Sequence, residues 1–326
     1  MKTLIQGGHV VGFNGREHEI IKDGVVVFER DRVEFVGKDY SQPVDKKIDA
    51  KGCLLSPGFI DTHFHSGINA SDYLLGDANK LDYFASNYLA HGAPTREGAN
   101  HAHLKDVDIG QRFSLIHVLK SGVTTTLDIG GAGANPAAYV DMIDEVGIRC
   151  YAGPSYKNVS FFQDREGRLE YDWSDERGSE GLKHAIEFAK KFNGACNGRM
   201  STMMFPGHVD SCTPALLKDT RKAAREIGVR VQIHATINLF EFHTVMQRER
   251  CTPIELLKKI GFLNPEVSLS HCIFVNGHSW LAYPYGDDLK IIADSGASVA
   301  YSPLKYLKLG IVMESFDRYL KAGINM

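Results

Sequence analysis

The feature that most constrains this chain is an alternation of short apolar runs with helix-like segments that begins at Ser56. The runs fall at 57–65, 123–129, 149–153, 200–205, 229–234, 267–271 and 298–301, seven in all. The segments between them carry helix-boundary chemistry. Asn135-Pro136, Thr213-Pro214 and Thr252-Pro253 each place a capping side chain before a proline at the first helical position, and Gly147, Gly228 and Gly261 follow the same three helices. Strand and helix in strict alternation predict a parallel sheet with crossover helices, and the count points to the eightfold (β/α)8 TIM-like barrel. The expected eighth strand is cut off. Residues 315–322 read as the helix before it, and Gly323-Ile324-Asn325-Met326 as its first residues. An open barrel edge is one that proteins avoid, so the chain reads as a piece of a longer protein.

The first 56 residues read differently. Val25-Val26-Val27-Phe28 and Val33-Glu34-Phe35-Val36 are short β-rich runs joined by the charged turn Glu29-Arg30-Asp31-Arg32. The predicted division is therefore a β-rich segment at 1–56 and a barrel at 57–326. With 326 residues, 43% hydrophobic and 24% charged, the chain is long enough for both. A formal net charge of −3 offers no basic stripe for nucleic acid and no polybasic membrane patch. Six scattered cysteines without a Cys-x-x-Cys pair read as reduced thiols, and no stretch reads as a signal peptide or a membrane span, so a cytoplasmic protein is expected.

Chemistry enters at the strand ends. His63 and His65 are two residues apart in a strand and so project from one face, as two ligands of a metal ion would. His234 and His271 close two further apolar runs, and the C-terminal ends of barrel strands are where such folds place their sites. Each alone could be a hydrogen-bonded core histidine; together, at three strand ends, they read as a metal site.

The stretch Pro57-Gly58-Phe59-Ile60-Asp61-Thr62-His63-Phe64-His65 resembles the first metal-binding motif of the amidohydrolase superfamily. That resemblance implies a small β-sandwich, half of it formed by 1–56, and a barrel holding one divalent ion on His63, His65, His234 and His271. Zinc suits the ligands best and iron is the alternative. It further implies an aspartate at the end of strand eight, beyond Met326, without which this piece alone would be inactive. A second ion would need a lysine on strand four or three; strand four has none, and Lys157 reads as a solvated loop residue.

The segment Phe205-Pro206-Gly207-His208, continuing to Thr213-Pro214, resembles a stretch of the triazine hydrolase and guanine-deaminase-like members, whose histidine contacts substrate. His208 is thus the expected catalytic and substrate-binding residue. Tyr301 stands after strand seven where the family often has a histidine, and is expected at the substrate too. Ile237 occupies the position of a proton-shuttling glutamate, and Glu241 reads as solvated or packed on a helix. The implied reaction is attack of a metal-bound hydroxide on a small, cyclic substrate with expulsion of ammonia or an amine, or of chloride in the dechlorinating members. A non-catalytic scaffold built on the same barrel is the alternative. The expected partners are a small-molecule substrate and, as an open case, further copies of the chain; nucleic acid and membrane are not expected.

His91, His117, His184 and His278 sit in loops or helix-like stretches, and the His101/His103 pair lacks a preceding strand; none is assigned chemistry. Tyr83, Phe84, Phe161, Phe162, Tyr171 and Trp173 lie in long loops after strands one and three, where they could stack on a planar ring or form the loops' own small core.

Overall fold

The structure is a computed structural model that describes residues 1–67, 107–133, 135–164, 166, 168–307 and 310–326. Tyr83, Phe84, His91, His101 and His103 lie outside the described residues. The chain divides into two compact units, Met1–Phe59 and Ile60–Met326.

The first unit is one sheet. Strands β1 (Lys2–Phe13), β2 (His18–Glu29), β3 (Arg32–Gly37) and β4 (Lys46–Asp49) lie in the order β3-β2-β1-β4, with β5 (Leu54–Leu55) also on β1. The two short runs read from the sequence pair with each other as the β2–β3 hairpin, Val26↔Val36 to Phe28↔Val33, and β2 continues on its other side as a longer hairpin with β1, from Lys2↔Glu29 out to Phe13↔His18. The outer arm has a weak sequence signature because its β2 side chains are mostly exposed and carry no apolar alternation, although Val10 on the β1 side is buried. Leu4, Val25 and Val27 form the small buried core.

The second unit is the expected barrel architecture. Strands β6 (Phe59–Phe64), β7 (Val123–Ile129), β8 (Arg149–Gly153), β12 (Met200–Pro206), β13 (Arg230–Ala235), β14 (Val267–His271) and β15 (Ser298–Ala300) lie side by side in chain order. Their pairings from β7 to β15 are parallel. Val299 N–H donates to the Asn325 carbonyl at 2.9 Å, and Ile324 is 4% exposed, so the last residues run beside β15 where an eighth strand would begin. A short hairpin, β10 (Val159–Gln163) with β11 (Leu169–Trp173), follows β9 (Ser155–Tyr156), which lies beside the end of β12.

Helices α1 (Val107–Lys120), α2 (Pro136–Val146), α3 (Asp175–Phe192), α4 (Pro214–Ile227), α5 (Leu239–Glu249), α6 (Pro253–Lys259) and α7 (Asp288–Ser295) separate the strands, with α8 (Pro303–Leu307) and α9 (Phe316–Lys321) after β15. The three boundary signatures operate as read. Asn135, Thr213 and Thr252 accept from the amides of Ala138, Leu216 and Glu255, and Glu255 returns a bond to the Thr252 amide. Among the described residues, no helix is long and apolar enough to cross a membrane.

Packing is tight where strands meet. A Cβ on Gly153, the last residue of β8, would stand 2.3 Å from the Met203 carbonyl oxygen of the neighbouring strand and 3.2 Å from the Phe205 ring. Gly153→Ala must therefore push apart a pair of hydrogen-bonded strands. We expect a loss of about 2 kcal/mol or more, read as a lowered urea midpoint with unchanged slope.

Asp288 ties three segments together. Its carboxylate accepts from the Thr252 hydroxyl at 2.6 Å and the Asn276 amide at 2.9 Å, and it is fully buried. Burial, the largest cause, raises its pKa from the ordinary 3.8 to about 6. A raised carboxyl pKa means that the folded state holds the proton longer than the unfolded one. Its contribution is complete below the unfolded pKa and is lost as pH rises through about 6. Relative to Asp288→Asn, the wild type should lose about 2–3 kcal/mol of stability between pH 4 and pH 7, measured by denaturant titration.

Candidate active site

Three strands deliver four histidines to one end of the barrel. His63 lies in β6 and His65 directly follows it, His234 is the penultimate residue of β13, and His271 ends β14. Their rings are in mutual contact: centroids lie 4.8 Å apart for His63–His65, 5.0 Å for His63–His234, 4.5 Å for His63–His271, 5.2 Å for His65–His234 and 5.4 Å for His234–His271. One ring nitrogen from each of His63, His65 and His234 lies within 4.8 Å of the others. His271 joins through its ring contacts with His63 and His234. Gln232, two residues before His234, donates to the Thr62 carbonyl at 2.8 Å and so ties β13 to β6 just below the rings.

Main-chain oxygens decide how these rings are protonated. His65 Nδ1 lies 3.2 Å from the Ile129 carbonyl, and His234 Nδ1 lies 2.9 Å from the Gly207 carbonyl. A carbonyl only accepts, so both Nδ1 atoms carry the hydrogen and both Nε2 atoms carry lone pairs. Those two Nε2 atoms face each other at 3.2 Å. A hydrogen bond between them would require one imidazole to be charged. Burial, the first cause in each case, lowers the pKa of His234 to about 4 and that of His65 well below its ordinary value. At neutral pH two lone pairs therefore oppose one another, a repulsion that a shared cation relieves. Their separation matches the roughly 3.4 Å between nitrogens of a tetrahedral zinc site. His63 Nδ1 and His271 Nδ1 are shielded from solvent without a hydrogen-bond partner. The donor set thus fits a metal ion.

The backbone around the rings is bent. Thr236, His271 and Cys272 have φ of 50°, 80° and 45°, left-handed values unusual for side chains of their size. Behind His65, Asp128 accepts from the Ser66 amide at 2.9 Å and the Tyr139 hydroxyl at 2.7 Å. Its pKa is raised to about 6, chiefly by burial.

His208 follows β12 and is paired through its backbone to His234, whose amide bonds Gly207 while Val209 bonds the His234 carbonyl. The two rings stack at 4.3 Å and 16°. His208, Asp210 and Glu241 form a second group, with one nitrogen or oxygen of each within 4.8 Å of the others. The loop that carries His208 is held by Arg248, whose guanidinium donates to the carbonyls of Asp210 at 2.8 Å and Val209 at 3.2 Å and covers Trp173 at 5.2 Å.

Glu241 is fully buried, not solvated. Its two oxygens accept from the Thr236 and Ile237 amides at 3.0 and 2.8 Å, holding the left-handed turn that follows His234. Burial first, and Asp210 next, raise its pKa well above the ordinary carboxyl range. The signal was present in Asn238-x-x-Glu241, a capping pattern at the start of α5 whose glutamate reaches back along the chain. Lys157 is likewise not solvated: it is half-buried, with Nζ 4.9 Å from the Phe161 ring centroid.

Tyr301 is half-buried, and its hydroxyl accepts from the Met313 amide at 3.4 Å. The residues beyond it in α8 reach the histidines and were not foreseen. Tyr306 meets the His271 ring at 4.8 Å, edge to face, and the positive charge of Lys305 acts on all five histidines. Phe161 and Tyr171 on the β10–β11 hairpin contact each other at 5.4 Å, and Tyr171 stacks on Phe240 of α5 at 6.0 Å. These hairpin aromatics thus pack among themselves and on α5. His117 and His184 are exposed on helices, while the buried His278 caps a turn through the Trp280 amide and contacts the Val312 carbonyl.

Known proteins resemble this chain in sequence and in fold. A 5-methylthioadenosine/S-adenosylhomocysteine deaminase of Thermococcus sibiricus is 26% identical over 326 residues, covering 100% of this chain and 69% of its own length. A 5'-deoxyadenosine deaminase of Methanosarcina mazei is 26% identical over 307 residues, covering 94% of this chain and 63% of its own length. The solved atrazine chlorohydrolase of Arthrobacter aurescens, complexed with zinc, superposes with a TM-score of 0.74 at 21% identity, over 99% of this chain and 70% of that one. The guanine deaminase of C. acetobutylicum with bound guanine gives 0.74 at 16% identity, over 100% and 73%. The description of the amidohydrolase family matches residues 54–326, the whole barrel unit with its histidines, and the chain belongs to that family.

Proposed function

We propose that the protein hydrolyses an exocyclic C–N bond of a purine-like or triazine-like ring, with one divalent ion, zinc, held by His63, His65, His234 and His271. The observation that carries this reading is the pair of opposed Nε2 lone pairs on His65 and His234, fixed by two main-chain carbonyls. Bound there, the ion would supply Lewis acidity and lower the pKa of its water to about 7. The names of the relatives, deaminases of adenosine derivatives and of guanine and a chlorohydrolase of triazine type, support an electron-poor ring carbon as the point of attack.

The remaining roles fall to this chain's own side chains. With Ile237 at the position of the family glutamate, proton transfer to the departing nitrogen falls to His208. Its ring is held against His234 and backed by the carboxyl groups of Asp210 and Glu241. Lys305 places a positive charge beside the cluster, suited to negative charge that builds on the ring under attack. Tyr301 serves the substrate side of the same strand end. The Phe161–Tyr171–Phe240 stack keeps water from the flank of the His208 loop. In this reading residues 1–56 are half of a small β-sandwich and the barrel unit begins at Pro57. The six cysteines are free thiols, in keeping with a cytoplasmic location. A scaffold without catalysis gains no support from lone pairs set against each other.

Metal analysis should find about one zinc per chain in the purified wild type and close to none in His65→Ala or His234→Ala. Retained metal in both variants would sink the assignment. In protein carrying its whole natural sequence, deamination of adenosine derivatives should be lost on chelation and regained with zinc. His208→Ala should keep its metal and lower kcat/KM about 100-fold or more. Metal loss in that variant would make His208 a ligand instead.

A further inference from the structure

Helix α4 lays Lys218, Arg221, Lys222 and Arg225 along a single groove, at the spacing of one helical face. The groove has a volume of about 620 Å³, the size of a small-molecule site. Its other wall is the turn that leads into β14, where Ile260 and Pro265 offer apolar surface.

Arg221 is the informative member. Its side chain is only 11% exposed, and its Nε and one Nη nitrogen are shielded from solvent with no hydrogen-bond partner. The other Nη nitrogen is 3.4 Å from Glu266, long for a charge-assisted bond. A guanidinium removed from water normally recovers that cost through acceptors on its fork. Lys218, Lys222 and Arg225 are exposed and form no ion pair among the described residues. Four cations thus face one carboxylate, and the deepest of them has two nitrogens without acceptors.

We propose that this groove binds a small molecule carrying a di- or triphosphate chain. Phosphate oxygens would replace Glu266 at the Arg221 guanidinium, drawing its shielded nitrogens toward the groove, and would meet the exposed Lys218 and Lys222 ammonium groups, while Ile260 and Pro265 would receive an apolar or ring portion. Several closely spaced negative charges on one ligand match several cations on one helical face better than a lone carboxylate does.

The groove is distinct from the histidine site. The Glu266 carbonyl accepts from Val231 near the start of β13, and Val267 opens β14, whereas His234 and His271 stand at the far ends of those strands. The length of β14 from Val267 to His271 is about 13 Å.

Isothermal titration calorimetry of the purified protein with sodium tripolyphosphate, and separately with ATP, tests the proposal without added divalent cations. Both probes should bind, more weakly as salt is raised. ATP clearly tighter than tripolyphosphate supports a nucleotide as the natural ligand, and equal affinities support an inorganic chain. Arg221→Gln should weaken binding about tenfold or more. Lys222→Gln, at an exposed position that leaves folding undisturbed, should weaken it less. His65→Ala should bind both probes as the wild type does, which separates the groove from chelation of an ion at the histidines. The proposal is overturned if neither probe binds, if both substitutions leave affinity unchanged, if His65→Ala abolishes binding, or if a glutamate hexapeptide binds where the phosphates do not.

Discussion

Two imidazole nitrogens that face each other with lone pairs set the terms for the rest of this barrel. His65 and His234 are 169 residues apart in sequence, yet their Nε2 atoms stand 3.2 Å apart. That approach is unfavourable on its own account and is imposed by the surroundings. The strands fix the main chain, Gln232 fastens β13 to β6 below the rings, and carbonyls on both sides turn each imidazole to the same tautomer. Burial then removes protonation as an escape. That local cost is the basis of the proposed cation site.

Around that pair the molecule concentrates features that a purely structural barrel would avoid. Three residues take left-handed backbone angles within a few positions of His234 and His271. Two carboxyl groups, Asp128 and Glu241, are buried, and each accepts hydrogen bonds that hold the turn after one of the clustered histidines. Such conformations persist where many contacts over-determine them. Arg248, which reaches two carbonyls of the His208 loop while covering Trp173, belongs to that support.

Much of this was legible because it depends on local pattern. Strand-end histidines two residues apart must share a face, and a capping residue before proline, as at Asn135, Thr213 and Thr252, favours a helix start from its own local chemistry. What stayed hidden depends on where a side chain goes after leaving its element. Lys157 reads as solvated because a loop position carries no sign of burial, whereas Glu241, read as solvated or packed on a helix, is drawn inward by the Thr236 and Ile237 amides, and only its place in the capping pattern hinted at it. Lys305 and Tyr306 lie in a five-residue helix with too little length for a period to emerge, so nothing in Pro303–Leu307 announced its closeness to the histidines. The outer arm of the β1–β2 hairpin was hard to read because its β2 side chains are mostly exposed and carry no apolar alternation.

The identity of the two tautomer-setting acceptors has an evolutionary consequence. Ile129 and Gly207 act through main-chain oxygens, and every amino acid has one. A change of side chain at either position can disturb packing, but it cannot delete the acceptor. The protonation pattern of the histidines is thereby insulated from the commonest kind of genetic change, and the side chains lining the rest of the site are free to diverge toward new substrates without unsettling it.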